Sequence, residues 1–530
     1  MEIVKSSHTL RRSLYVSVFL LIASPSTAFS SSTVFQDASS KLPPALPQGT
    51  DSVDADFVDV DNDGDLDIFI AEGTAGFEGR ANRLLLNDGR GNYTDVSASN
   101  LPFSPRPFNS TSADAADFDG DGDMDIVVAN LGPTQLLLNN GSGVFTDASR
   151  TLLPPPPPNI IDDISTEIAF IDVDKDGDLD IFVTNEIPPI PGVGPGGSQN
   201  FLYILQNGFY TDESLARLPN VKNQSASFVF GDIDKDGDAD LIVANVGVNA
   251  LLLNDGNGFF SADIEGRIPT EVTTSRSIEL GDLDRDGDLD LVIANSNQEQ
   301  NQIFENQGAG FFVDITDITL PALGDTSSDV KLLDLNFDRR LDIIFANSIP
   351  NPAPPGTGHP LAPAPNIVYI NKTIKTPYGT RWRIKDASKR FLPATESISF
   401  DTEYGDANGD KLPDLLIANA NDGTEELLLR VKMPPPPKRL IPKLVCVEPS
   451  KNKSFIAYFA YINGGKRPGY LPVGPRNRLF PPRANNNQPV IFLLGKSTPD
   501  ETFAVPFRYG ATWLLNGRVA VAHRGSKRCK

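Results

Sequence analysis

One nine-residue pattern constrains this chain more than anything else in it: Asp-x-Asp-x-Asp-Gly-Asp-x-Asp. The first copy carries Asp59, Asp61, Asp63, Asp65 and Asp67. The second carries Asp117, Asp119, Asp121, Asp123 and Asp125, and the third Asp172, Asp174, Asp176, Asp178 and Asp180. The fourth carries Asp232, Asp234, Asp236, Asp238 and Asp240, and the fifth Asp282, Asp284, Asp286, Asp288 and Asp290. Two degenerate copies follow, with Asp334, Asn336, Asp338 and Asp342, then Asp406, Asn408, Asp410 and Asp414. Carboxylates this dense repel one another unless a cation neutralises them. A short loop offering only oxygen ligands selects a hard ion, and Ca²⁺ is the one expected.

Numbered from its first Asp, each loop offers carboxylates at positions 1, 3, 5 and 9. Position 7 offers its backbone carbonyl, and Gly at position 6 permits a sharp turn. This matches the first half of an EF-hand loop, which also needs an acid at position 12 and flanking helices. Position 12 here is Ile70, Val128, Val183, Val243, Ile293, Phe345 and Ile417, all apolar and all in strand-like runs. The EF-hand is therefore excluded.

The loops start at residues 59, 117, 172, 232, 282, 334 and 406, a period of 50 to 72 residues. Periods near 50 point to propellers or arrays. Each unit repeats one order. A strand enters the Asp loop, and a second leaves it, as in Asp67-Ile68-Phe69-Ile70. A third apolar run follows, as in Leu84-Leu85-Leu86. A tight turn such as Asn87-Asp88-Gly89 suits a hairpin because Asn and Gly accept positive φ. A fourth strand carries an aromatic, one residue and Asp, as in Tyr93-Thr94-Asp95 and Phe145-Thr146-Asp147. Four short antiparallel strands make a propeller blade. The last unit lacks its fourth strand, and Phe35-Gln36-Asp37-Ala38-Ser39 near the N-terminus has that strand's pattern. The expectation is an all-β fold: a seven-bladed propeller closed by an N-terminal strand. Closure would also remove the exposed sheet edges. The Pro/Gly-rich insertions at 154–158, 187–197 and 350–365 read as surface loops able to shape a binding face.

Taken in order, the Asp loop, the turn and the aromatic-x-Asp strand resemble FG-GAP or VCBS repeats, the blades of integrin α-subunit propellers and of many bacterial exported proteins. The resemblance covers roughly residues 35 to 433. It implies Ca²⁺ in the loops between the first two strands of each blade, hence about five structural sites. Arg339 and Lys411 replace Gly at position 6 of the last two loops, and Asn336 and Asn408 replace Asp at position 3. Weak or absent metal is expected there.

Charge divides the chain in two. From Pro434 to Lys530 there are 17 Lys and Arg against 3 Asp and Glu, a net of +14; the total of -23 leaves -37 for the remainder. A basic module can attract a polyanion, or simply be a solvated surface beside an acidic neighbour. Lys5, Arg11 and Arg12, the apolar run Leu14 to Ala23 and Ser26-Thr27-Ala28 read as a secretory signal peptide over 1–28. The apolar run is too short to span a bilayer comfortably. The propeller is assigned to 29–433, a Pro-rich linker to 434–445 and a basic β domain to 446–530. The two cysteines, Cys446 and Cys529, bracket that domain, and in an exported protein such a pair favours one disulfide. Its strand candidates are Phe455 to Tyr461, Val490 to Leu494, Phe503 to Phe507, Ala511 to Leu515 and Val519 to Ala522. Val473 to Arg478 and Trp513 to Gly517 resemble a small β-sandwich appended to assorted bacterial exported proteins, which implies a bacterial source and a secreted, periplasmic or cell-surface location.

No catalytic residue stands out. After removal of the signal, two histidines remain, His359 in a Pro/Gly loop and His523 in the basic tail. No nucleophile elbow, zinc motif or phosphate loop is present. The leading expectation is a non-catalytic exported protein that binds a protein or glycan or acts as an adhesion scaffold, with no nucleic-acid partner. The alternative is a carbohydrate-active lyase or hydrolase on a propeller, since fold does not decide function.

Overall fold

A computed structural model gives the architecture. It describes residues 33–44, 51–73, 79–103, 109–156, 164–186, 196–322, 326–348, 365–376, 379–393, 398–419 and 425–432, and then 440–450, 455–463, 469–470, 477–480, 491–492, 495–496, 503–507, 510–515, 518–523 and 525–529. The signal-peptide region, His359, most of the Pro/Gly insertions and all of 471–476 lie outside them. Compactness divides the described residues into two units, one spanning Phe35–Arg430 and one that starts at Val431 and takes in Thr33 and Val34.

The first unit is a β-propeller of four-stranded antiparallel blades. The first blade is Asp51–Val58, Asp67–Gly73, Arg83–Asn87 and Tyr93–Asp95, hydrogen-bonded in that order. Its period-2 strands bury almost every residue, because each sheet is covered on both faces by its neighbours. Further blades begin with Ser110–Ala116, Ser165–Ile171, Ser225–Gly231, Val272–Gly281, Ser327–Leu333 and Ser399–Gly405. The last of these completes its sheet with Thr33–Asp37, which lies beside Glu426–Lys432. Ala38 N–H donates to Leu427 O at 2.8 Å, and Phe35 is buried with Leu415 and Leu428. The strand supplied from the N-terminal side is thus built into the last blade.

Seven apolar clusters fill the spaces between consecutive blades. One joins Phe170 and Ile168 to Val127 and Leu136, and another joins Phe182 and Leu202 to Phe228 and Phe230. A cluster of Leu416, Ala418 and Leu427 with Phe57, Ile68 and Ile70 joins the last blade to the first. Burying such residues is the main favourable term, roughly 1.5–3 kcal/mol for each large side chain.

A polar tie recurs at five of these joints, made by the first, second, fourth, fifth and sixth blades. The Asn ending the third strand donates its amide to a carbonyl in the preceding blade's Asp loop. Asn139 reaches Val60 O at 2.7 Å, Asn254 Val173 O at 3.0 Å, Asn306 Ile233 O at 3.1 Å and Asn371 Leu283 O at 2.7 Å. Asn87 reaches Ala407 O at 2.9 Å, which ties the first blade to the last. Within a blade, the Asp of the fourth strand caps one helical turn: Asp95 accepts from Ser97 N–H at 3.0 Å and Ser97 Oγ at 2.6 Å. Side chains of this type favour such capping because their oxygens satisfy free N–H groups. These single turns after most fourth strands are absent from the expectation above.

Antiparallel order places the Asp loops and the Asn/Gly turns at one end of the strands. The connections between strands two and three, and between blades, lie at the other end. The insertions at 154–158, 187–197 and 350–365 all belong to that second set.

The second unit is all-β. Leu440–Pro449 pairs with Phe455–Asn463, which pairs with Phe503–Phe507; Asn477–Phe480, Gly510–Leu515 and Arg518–His523 form another sheet. The two sheets share a core of Val447, Phe459, Tyr461, Trp513 and Leu515, with Trp513 edge-on to Phe459 at 6.2 Å. The strand Leu440–Pro449 begins inside the stretch expected as a linker, and of Val490 to Leu494 only Ile491–Phe492 is strand. Cys446 and Cys529 form a disulfide. With a sequence separation of 83, the chain-entropy model makes it worth about 4 kcal/mol. His523 is exposed and its Nδ1 accepts Gly525 N–H at 3.1 Å, a turn-closing role. Among the described residues no helix is long and apolar enough to cross a membrane. Replacing both cysteines with Ala is expected to lower the midpoint of the unfolding step reported by Trp513 fluorescence, measured in the full chain carrying Trp382→Phe.

Candidate metal loops and cavities

Each Asp loop is a tight turn between the first two strands of its blade. Position 6 has positive φ throughout: +92° at Gly64, +94° at Gly122 and Gly177, +95° at Gly237 and +90° at Gly287. Glycine suits this because it lacks the Cβ that makes the region costly. Arg339 and Lys411 adopt it too, at +67° and +66°. Position 4 is also left-handed: Asn62, Lys175, Lys235 and Arg285 have φ of 59°, 61°, 63° and 67°. That conformation costs an L-residue roughly 1–2 kcal/mol.

The turn orients the carboxylates. Position 1 turns one oxygen back to the chain: Asp59 Oδ2 accepts Gly64 N–H at 3.0 Å, Asp117 Oδ2 accepts Gly122 N–H at 3.1 Å and Asp172 Oδ2 accepts Gly177 N–H at 3.2 Å. The other oxygen points into the loop. Oδ1 of Asp59, Asp117, Asp172 and Asp232 is buried without a hydrogen-bond partner, as is Oδ1 of Asp61, Asp174, Asp234 and Asp284 at position 3. Buried oxygens without donors are costly. A cation in the loop would remove that cost, so the donor set fits a hard divalent ion.

Three carboxylates converge in each full loop, with ligand oxygens within 4.8 Å of one another: Asp59, Asp61 and Asp67; Asp117, Asp119 and Asp121; Asp172, Asp174 and Asp180; Asp232, Asp234 and Asp236; Asp282, Asp284 and Asp290. The expected set at positions 1, 3, 5 and 9 is therefore not assembled at once. Position 5 also serves the turn: Asp63 Oδ1 accepts Asp65 N–H at 3.0 Å, and Asp176 Oδ1 accepts Asp178 N–H at 3.0 Å. Position 7 side chains (Asp65, Asp123, Asp178, Asp238 and Asp288) lie outside the groups of three. Position 12 is buried in the second strand in all seven blades, from Ile70 to Ile417.

Position 9 is both ligand candidate and anchor. Asp290 accepts Asn306 N–H and Leu283 N–H, each at 3.0 Å; Asp67 accepts Asn87 N–H at 2.8 Å and Val60 N–H at 3.1 Å. Burial pushes Asp67, Asp125, Asp180 and Asp240 up to about 7 and Asp290 to about 8, against the lowering effect of those N–H groups.

The degenerate loops satisfy themselves. Asn336 Nδ2 donates to Asp342 Oδ2 at 2.8 Å, and Asn408 Nδ2 donates to Asp414 Oδ2 at 3.0 Å. An amide there supplies the positive end that a cation supplies elsewhere.

Cations from outside the loops also touch them, a feature no motif announces. Arg217 Nη1 lies 3.2 Å from Asp174 Oδ2, Arg267 Nη1 3.0 Å from Asp234 Oδ2 and Lys375 Nζ 2.7 Å from Asp284 Oδ2. Lys175 pairs with Asp238, and Lys235 lies 2.7 Å from Asp288.

Among the described residues, cavities also lie near the blades' first strands and at the strand ends. One, of about 110 Å³, is lined by the first strands of all seven blades. Its acids hold the blades together: Asp54 Oδ2 accepts Ala113 N–H at 2.8 Å, Glu167 Oε2 accepts Phe228 N–H at 3.1 Å and Asp329 Oδ2 accepts Thr402 N–H at 3.1 Å. Another, of about 350 Å³, opens at the strand ends away from the Asp loops, between the third and fourth blades. Leu218, Val243, Leu251 and Ile268 form its walls, and Gln199 and Asn223 bring amides. Asp263 is its one charged lining residue, and its oxygens accept Glu265 N–H at 3.0 Å and Arg267 N–H at 2.6 Å.

The FG-GAP-like repeat family matches residues 59–128, 117–183, 232–293 and 282–345. No curated protein sequence matches the chain. Among solved structures, it is similar to an Agrocybe aegerita lectin that recognises non-reducing terminal N-acetylglucosamine, at 15% identity over 74% of this chain and 100% of that one, with a TM-score of 0.39. It is similar to an ancestral GH74 enzyme at 12% identity over 82% of this chain and 54% of that one, TM-score 0.43. It is also similar to the V. cholerae biofilm matrix protein Bap1 at 13% identity over 94% and 76%, TM-score 0.31.

The position-9 aspartates give the metal-free protein a sign. Their folded pKa lies above the unfolded value, so their contribution is fully present below about pH 4 and is lost as pH rises through about 7. Melting in EDTA is therefore expected to fall between pH 5 and pH 8, and calcium should abolish or reverse that fall, as differential scanning calorimetry would record.

Proposed function

We propose that this chain, a β-propeller built of FG-GAP-like repeats, is an exported binding protein whose five full Asp loops hold structural Ca²⁺. The ion in each loop would neutralise the crowded carboxylates, pin the turn and so fix the first two strands of its blade. The sixth and seventh loops would hold metal weakly or not at all, since Asn336 and Asn408 already occupy the position-9 carboxylates. The disulfide and the Lys5 to Ala28 pattern support export.

The ligand is a protein or glycan, taken up at the strand ends away from the metal loops. One observation carries this reading. The larger cavity there combines aliphatic walls with uncharged amides, and its single carboxylate is spent on two backbone N–H groups. Its volume lies at the small end of the ligand-pocket range. It offers shape and hydrogen bonds but no acid–base pair, which suits recognition without turnover.

Screening the full mature chain against glycan and peptide arrays in millimolar calcium, with mass spectrometry of the probes afterwards, tests this. Binding of intact probes, lost in a Val248→Arg variant at the cavity rim, is the expected result. Fragmented probes, or binding indifferent to Val248→Arg, would overturn it.

A further inference from the structure

We propose that the third, fourth and fifth Asp loops bind calcium as one coupled array, with Lys175 and Lys235 as couplers and Arg217, Arg267 and Lys375 as positioning residues. This rests on the reading that these loops hold calcium.

The couplers sit at position 4, where positive φ turns the side chain out of its own loop. Lys175 Nζ donates to Gly237 O at 2.5 Å and pairs with Asp238, positions 6 and 7 of the fourth loop. Lys235 Nζ lies 2.7 Å from Asp288, position 7 of the fifth loop. Gly237, Asp238 and Asp288 lie in the turn of the next loop, beside its converging carboxylates. The same register links the first loop to the second, where Asn62 Nδ2 donates to Asp123 Oδ1 at 2.8 Å. The chain of contacts breaks at Gly120, position 4 of the second loop, which has no side chain to send. It breaks again after the fifth loop, because position 7 of the sixth is Arg340 and offers Arg285 no acid. The sequence thus encodes a pair of linked loops and a separate triplet.

In the triplet, each position-3 carboxylate is held from outside. Oδ1 of Asp174, Asp234 and Asp284 is buried and unpartnered, while Oδ2 faces Arg217, Arg267 or Lys375. Each of these cations also involves the following blade. Arg217 Nη1 donates to Asn257 O at 2.6 Å and its guanidinium lies 4.8 Å from the Phe259 ring. Arg267 lies 5.3 Å from the Phe311 ring, and its carbonyl accepts Phe312 N–H at 2.7 Å. Lys375 itself belongs to the hairpin Ile374–Arg381 of the sixth blade and also reaches Asp286 Oδ2 at 3.0 Å. Partners behind a ligand orient it toward the metal.

The contacts exist only when both joined loops have their turn geometry. Calcium that orders one loop therefore lowers the ordering cost of the next, which is positive coupling. Charge alone makes the opposite prediction for Arg217, since a cation beside a ligand repels calcium.

Calcium titration of the EDTA-stripped full chain by isothermal titration calorimetry separates these outcomes. The wild type is expected to show a Hill coefficient above 1, and Lys175→Ala with Lys235→Ala to lower it without changing stoichiometry, the residual coupling being that of the first two loops. Gly120→Lys provides a gain-of-function arm. Gly120 has φ +77°, no atom lies within 4 Å of the point a Cβ would occupy, and Lys175 and Lys235 hold a left-handed backbone at this same position, so the variant sets a Lys at the register position that faces Asp178 at the strain those two already carry. It should steepen the isotherm. Arg217→Ala should weaken binding several-fold, and Arg217→Lys should restore part of it. Isotherms of unchanged slope in both lysine experiments, or tighter binding in Arg217→Ala, would overturn the coupling while leaving calcium binding intact. Absence of any calcium binding would overturn the functional reading as well.

Discussion

Crowded carboxylate is the constraint on which the rest of this structure depends. Five loops each bring three acids together, and in every one of them at least one of the converging residues keeps a buried oxygen with no donor. Such an arrangement is unfavourable alone, because like charges at short range in a partly buried site cannot all ionise freely. The loops nevertheless carry the first two strands of their blades, and those strands carry the inter-blade cores. Where position 9 joins the converging group, as in the first, third and fifth loops, a cation would act on the fold through that Asp, which grips both the loop and the third strand, as Asp67 does through Val60 N–H and Asn87 N–H.

The last two loops show the same turn solved without that demand. Asn336 and Asn408 put an amide against the position-9 carboxylate, and Arg339 and Lys411 accept the left-handed backbone that Gly occupies elsewhere. Two chemistries thus close one geometry. On the proposed reading, the difference would confine metal dependence to one part of the propeller and leave the blade that receives the N-terminal strand independent of it.

Much of this was legible in the sequence. The Asp pattern placed the loops, apolar position 12 placed the second strand, and Phe35-Gln36-Asp37 marked the strand that joins Glu426–Lys432. Which carboxylates converge was not legible, because position 5 accepts the position-7 N–H in all five full loops yet joins the group only in the second and fourth, as Asp121 and Asp236. Nor were the cross-blade contacts. Arg217 and Arg267 precede Leu-Pro and Ile-Pro like ordinary surface residues, and only the fold brings them to Asp174 and Asp234. The larger cavity gave no signal at all, since its amides and aliphatic residues are scattered from Phe182 to Thr270. Repeats announce the scaffold, whereas a binding surface is made where the repeats differ.

Native mass spectrometry of the mature chain, desalted from calcium-containing buffer at near-neutral pH, tests the central claim most directly. The account predicts a dominant species carrying five calcium ions, one for each converging group, all removed by EDTA. A calcium-free dominant species, or one with an ion in every loop including those of Asn336 and Asn408, would contradict it.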